Sequence, residues 1–177
     1  MKLLDLIKIP LTTYQIQKVT QIDAFDFSKT EKKVNLDFGG VTNKYLAEGI
    51  LHLKLYYVVA LLDPKNLHAV SRSLDPFWHA HILHTKDYTD FCTSIFEQYI
   101  HHTPLDPDDV ESVKEVSEIY NYTYEIYGKI FHTVNNDWFP KLTNSAISGP
   151  VCLHMRVSSP RMHADSIFPS LLLSKAA

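Results

Sequence analysis

The chain reads as an all-α protein, and three observations lead there. A long apolar helix signal runs between Thr42 and the Asp63-Pro64 pair. A second stretch, from Val110 to Phe131, repeats its apolar residues every three or four positions. No segment alternates apolar and polar residues as a half-buried strand would. At 177 residues the chain suffices for one well-packed core, whereas two domains would each be marginal. We therefore expect one helical domain over residues 1–143, with about three main helices plus shorter ones, and an irregular extension over 144–177.

Residues 1–40 are mixed. "LLDLIKIPLTTYQI" is apolar but broken by Pro10, and "FSKTEKKVNLDFGG" is polar and ends in Gly39-Gly40, so at most one short helix is expected. Thr42 or Asn43 can then cap a helix through "KYLAEGILHLKLYYVVALL". It must stop at Asp63, because proline disfavours helical geometry in the residue before it. Its apolar residues cover most faces, so it belongs in the centre of the fold.

"SLDPFWHAHIL" begins the next helix, with Asp75 as N-cap and Pro76 at the first helical position. This helix either continues to Ile100 or is reset near Leu83, with Thr85 capping a new one. "PLDPDDVESVKEVSEIYNYTYEIYGKIF" offers Asp106 as cap, Pro107 behind it and acidic residues in the first turn. Val110, Val113, Val116, Tyr120, Tyr124, Tyr127 and Phe131, widened by Ile119, Ile126 and Ile130, make one amphipathic helix of about seven turns. Its tyrosines read as the core and rim of a helix–helix contact. After "NNDWFPKL" no period survives, and the last dozen residues are expected to be loose.

Composition narrows the function. A net charge of −3 gives no electrostatic reason to expect nucleic acid as a partner. "MKLLDLIKIP" is a poor signal peptide, and no apolar stretch approaches the roughly 20 residues that cross a bilayer, so no membrane partner is expected. Two cysteines, Cys92 and Cys152, make no disulfide framework and suit free thiols in a reducing compartment; the expected location is the cytoplasm. There is no Gly-rich phosphate loop and no G-x-S-x-G, which argues against common nucleotide and hydrolase chemistry.

The chemistry that remains is in the histidines. Ten are present, and five of them (His79, His81, His84, His101 and His102) lie between positions 79 and 102. Neutral imidazole is the commonest metal ligand near neutral pH, so the cluster points to a divalent transition metal, zinc or iron, or to a small polar ligand. On one unbroken helix His79 and His81 point about 200° apart and cannot share an ion, whereas His81, His84 and Tyr88 can. A break near Leu83 would loosen that constraint and let His101 or His102 swing in. None of H-E-x-x-H, C-x-x-C or H-x-E with P-C-x-x-C occurs. The opposing reading is that Trp78, Ile82, Phe91 and Ile95 form a core face, with each histidine tied to its own carbonyl or carboxylate. Cys92 on that face reads as an inert buried thiol.

"LDPFWHAHILHTKDYTDFCTSIFEQYIHHTP" resembles the core motif of the glycine-rich domain-containing protein-like family. The resemblance rests on Leu74-Asp75, Trp78-His79-Ala80-His81-Ile82-Leu83, Thr85, Tyr88, Phe91-Cys92 and His101-His102, and spans residues 42–130. His84 stands where relatives often carry aspartate, and Phe91 where an acidic residue precedes the cysteine. No glycine-rich tail is present. The resemblance implies that His79, His81, Tyr88, Cys92 and His101/His102 form one constellation, with Asp75 in a capping or supporting role. It transfers no activity.

The expected metal ligands are therefore His79, His81, His101 and His102, with Asp75, Trp78, His84, Tyr88 and Cys92 around them. In an enzyme the metal would act as Lewis acid or water activator, with Tyr88 as proton donor. The alternative is a non-catalytic helical interaction or scaffolding module whose histidines only knit the core. A third reading is a pH-responsive switch.

Overall fold

The computed structural model describes residues 1–106, 108–142, 152–154, 162 and 164–169. Six α-helices dominate it, as an all-α protein requires: α1 (Thr13–Ala24), α2 (Ser28–Asp37), α3 (Asn43–Leu62), α4 (Asp75–Leu83), α5 (Thr85–Phe96) and α6 (Val110–Ile130). A 3₁₀ turn at Leu3–Leu6 precedes them. Three three-residue strands, β1 (His68–Val70), β2 (His102–Pro104) and β3 (Cys152–His154), form a small antiparallel sheet in the order β1-β3-β2. The backbone of His154 sits opposite both His68 and His102.

The centre is α3, as its composition requires. Thr42 caps it by accepting the Tyr45 amide at 3.1 Å, and it ends at Leu62, just before Asp63-Pro64. By length and composition α3 would suffice to cross a membrane, which corrects the expectation drawn from its shorter apolar run. Two-thirds of its most apolar window is buried inside the fold, as in a core helix. Gly49 permits that packing: a Cβ there would lie 2.0 Å from the Phe77 ring of α4. On α6 the buried stripe runs through Val116, Ile119, Tyr120, Thr123, Ile126, Tyr127 and Ile130. Tyr120 and Tyr127 stack on Phe139 at 4.8 and 4.9 Å, and the Tyr127 hydroxyl also reaches the His52 carbonyl of α3, so the tyrosines serve a turn as well as a helix–helix contact.

Several boundaries differ from expectation. Residues 1–40 hold α1 and α2, not a single short helix. The start of α1 is a capping box in which the Thr12 hydroxyl accepts the Gln15 amide and the Gln15 side chain accepts the Thr12 amide. The α6 N-cap is Asp109, whose carboxylate accepts the amides of Glu111 and Ser112, three residues after the expected Asp106. Val110 is exposed and Tyr124 only half-buried, so the core stripe is narrower than the apolar pattern suggested. The short strands escaped notice because three residues are too few to establish a two-residue period.

The C-terminal stretch is described only in part. Cys152–His154 is the middle strand, Met162 is buried, and the Asp165 and Pro169 carbonyls accept hydrogen bonds from the Gln15 and Asn66 side chains. The Cys152 side chain and residues 143–151, 155–161 and 170–177 lie outside the described residues, with most of the expected irregular extension.

Candidate functional site

The histidine segment is where helix geometry becomes decisive. Leu74 caps α4, with Asp75 and Pro76 in its first turn, so Asp75 lies inside the helix and not at the N-cap. The helix ends at Leu83, and His84 (φ −84°, ψ 63°) turns the chain into α5. The break falls after His81. His79 and His81 therefore remain on one regular helix, about 200° apart, and face opposite sides of it.

On the outer side, Asp75 and His79 are one turn apart at i and i+4, and His102 reaches them from β2. The nearest ligand atoms of the three lie within 4.8 Å of one another. His102 Nε2 is 2.8 Å from His79 Nε2, and the rings meet edge to face at 4.5 Å. Asp75 Oδ1 is 3.5 Å from His79 Nε2, at ion-pair distance, yet this oxygen is buried and makes no hydrogen bond. The His79 side chain is 44% exposed and that of Asp75 17%, so the group is open to solvent on one side. Burial, then the neighbouring His79, lowers the His102 pKa, which favours the neutral ring with one nitrogen lone pair to offer.

On the inner side, His81 is 1% exposed. Its ring stands among Phe25, Phe27, Tyr57, Tyr88 and Phe91 at centroid distances of 5.0–5.8 Å. Nδ1 is hydrogen-bonded to the Tyr57 hydroxyl at 2.8 Å, while Nε2 is buried and makes no hydrogen bond. Burial pushes its pKa down to about 3. His81 is therefore placed with the core and not with the His79 group. His101 is exposed, its ring 4.9 Å from Tyr99, and also stands outside the group. His84 Nε2 lies 3.2 Å from the Lys29 carbonyl and ties the α4–α5 turn to α2.

Trp78, Tyr88 and Cys92 are fully buried beneath the site. The Trp78 indole donates to the Tyr88 hydroxyl at 3.4 Å, and its ring meets His102 edge to face at 5.1 Å. The Tyr88 hydroxyl donates to the Ile100 carbonyl at 2.8 Å. Its burial pushes the phenol far above its ordinary range, so the expected role as proton donor to substrate is withdrawn. Burial also pushes the Cys92 thiol up to about 11, drawn only partly back by the Ile100 backbone and the Tyr88 hydroxyl; it is a packed thiol, not a nucleophile.

Two buried polar groups outside the segment escaped the sequence reading. Asp63 and His68, both fully buried, sit 3.2 Å apart, with Asn66 and Tyr122 donating to the carboxylate at 2.7 and 2.6 Å. They join the end of α3 to β1 and α6. His52 stacks on Trp138 at 5.5 Å, and burial lowers its pKa to about 4. No sequence period marks either group: Asp63, Asn66 and His68 lie in the short link after α3, and Tyr122 and Trp138 join from far along the chain.

Neither the curated proteins nor the solved structures contain a match to the chain. The expected kinship with the glycine-rich domain-containing protein-like family is overturned, because the family model that matches is another, described as UCP032817-like. It covers residues 17–115, from α1 through the start of α6, and so includes Asp75, His79 and His102. With more than half of its length matched, the chain belongs to the UCP032817-like family.

Proposed function

We propose that Asp75, His79 and His102 bind a divalent transition metal, zinc or iron. The observation that carries this reading is the convergence of three donors, one of them a buried carboxylate oxygen without a hydrogen bond. Such an oxygen is costly to leave desolvated, by about 1–3 kcal/mol, and a cation would remove that penalty. Two histidines and one carboxylate form a donor set common to catalytic zinc and non-haem iron sites, which keep coordination positions open. Donors around a tetrahedral ion stand roughly 3.3 Å apart, given metal–ligand bonds of about 2.0–2.2 Å. The 3.5 Å between Asp75 and His79 suits this, and the 2.8 Å between the imidazoles would open by about half an ångström.

An ion held there faces solvent beside His79 and can take a water or a small polar ligand. Its chemistry would be Lewis-acid activation of that ligand or of the water. The test is titration of metal-free, tag-free protein with zinc, followed by calorimetry. One equivalent should bind the native chain, and none should bind tightly to His79→Ala, His102→Ala or Asp75→Asn.

One observation favours a second reading. At 2.8 Å, His79 and His102 are at the distance of a direct N–H···N bond, so the pair could instead fasten β2 to α4 in a purely structural module. In that case zinc produces no heat, and His102→Ala changes stability alone.

A further inference from the structure

The two ligand-bearing elements share one buried anchor. Trp78, which directly precedes His79, donates its indole N–H to the Tyr88 hydroxyl at 3.4 Å. That hydroxyl donates in turn to the carbonyl of Ile100, two residues before His102, at 2.8 Å. The Trp78 ring also supports His102 from below, edge to face at 5.1 Å. Ile100 is buried, whereas His101 beside it is exposed, so the Tyr88 hydroxyl grips the chain where it leaves the core and turns toward the site.

We propose that Tyr88 is a positioning residue for the metal site: its hydroxyl, held between Trp78 and the Ile100 carbonyl, sets the distance from the His102 arm to His79 and Asp75. This rests on the metal reading above. Tyr88 donates nothing to the ion. Outer-shell partners of metal ligands commonly change affinity 10–100-fold when removed, because the ligand must then be ordered as the ion binds. Tyr57 is the matched control. It is another buried tyrosine of the same core, but its hydroxyl pairs with His81 and not with Trp78 or the Ile100 carbonyl.

The experiment is cobalt(II) titration of the full-length native chain, Tyr88→Phe and Tyr57→Phe, read by the cobalt d–d absorption and by zinc competition. Tyr88→Phe should bind 10–100-fold more weakly with an altered cobalt spectrum, and Tyr57→Phe should stay within about twofold of the native chain. Equal affinity in Tyr88→Phe and the native chain would overturn the proposal, as would equal losses in both variants. Failure of the native chain to bind either metal sinks the site itself, a separate result. Should Tyr88→Phe not fold, hydrogen exchange of the native chain decides. Zinc should slow exchange in both the 88–92 and 100–102 segments, and slowing confined to the latter refutes the coupling.

Discussion

His79 and His81 stand two residues apart on one helix and live in opposite worlds. His79 leans over the rim beside a carboxylate and a second imidazole, 44% exposed. His81 is sealed among five aromatic rings at 1% exposure, with a phenol as hydrogen-bond partner. The same side chain thus meets solvent, a carboxylate and an imidazole on one face and is held neutral by burial on the other. What separates them is the 100° step per residue of α4, which carries consecutive odd positions to nearly opposite sides. Histidine count alone is a poor guide to a site; the face each histidine occupies decides.

Acid should separate the two faces most strongly. His52 and His81 are held neutral by burial, with pKa values of about 4 and about 3, against about 6.5 in the unfolded chain. Below pH 6.5 the unfolded chain binds protons that the folded chain refuses, so stability is full above that pH and falls as pH drops. At pH 5 each should have removed about 2 kcal/mol, measured by urea unfolding across pH 5 to 8. Stability flat over that range would contradict the burial assigned to both rings.

His81→Ala should come next, lowering stability by about 3 kcal/mol through a cavity in the aromatic cage and an unpaired Tyr57 hydroxyl. It should also remove about half of the acid sensitivity, while zinc affinity of the folded fraction stays unchanged. A loss of zinc binding there would place His81 with the rim group after all. Gly49→Ala, on the helix under α4, should lower the thermal midpoint by an overpacking penalty of about 1–3 kcal/mol, because its methyl meets the Phe77 ring. His79→Ala should be the mildest, within about 0.5 kcal/mol in metal-free protein. Its signature is instead the loss of zinc stabilisation, which in the native chain should reach about 2.7 kcal/mol at a hundredfold excess over Kd.

Much of the scaffold was legible locally. α3 could be delimited because both signals, the Thr42 hydroxyl and the Asp63-Pro64 stop, act within a turn of the helix ends. The Thr12–Gln15 capping box was equally available in "TTYQ" and could have located α1. The site was half legible. Asp75 and His79 form a D-x-x-x-H pair on one helical face, readable once α4 is granted, although the sequence reading puts Asp75 in a capping or supporting role beside the expected metal ligands. His81 enters the expected ligand set through the family resemblance and a helix break near Leu83, but α4 runs unbroken past both histidines and the break comes too late to turn His81 toward His79.

By itself, then, the sequence determined α3, most of α6 and the start of α4, and with α4 granted it puts Asp75 on the face of His79, since caps, prolines and the 3.6-residue turn are properties of neighbouring residues. Only the tertiary structure decided that His102, 23 positions beyond His79, would complete that face and that His101 beside it would not. The reason is physical: the chain leaves the core at Ile100, whose carbonyl accepts a hydrogen bond from Tyr88 of α5, and partners supplied by another helix leave no mark on the local sequence.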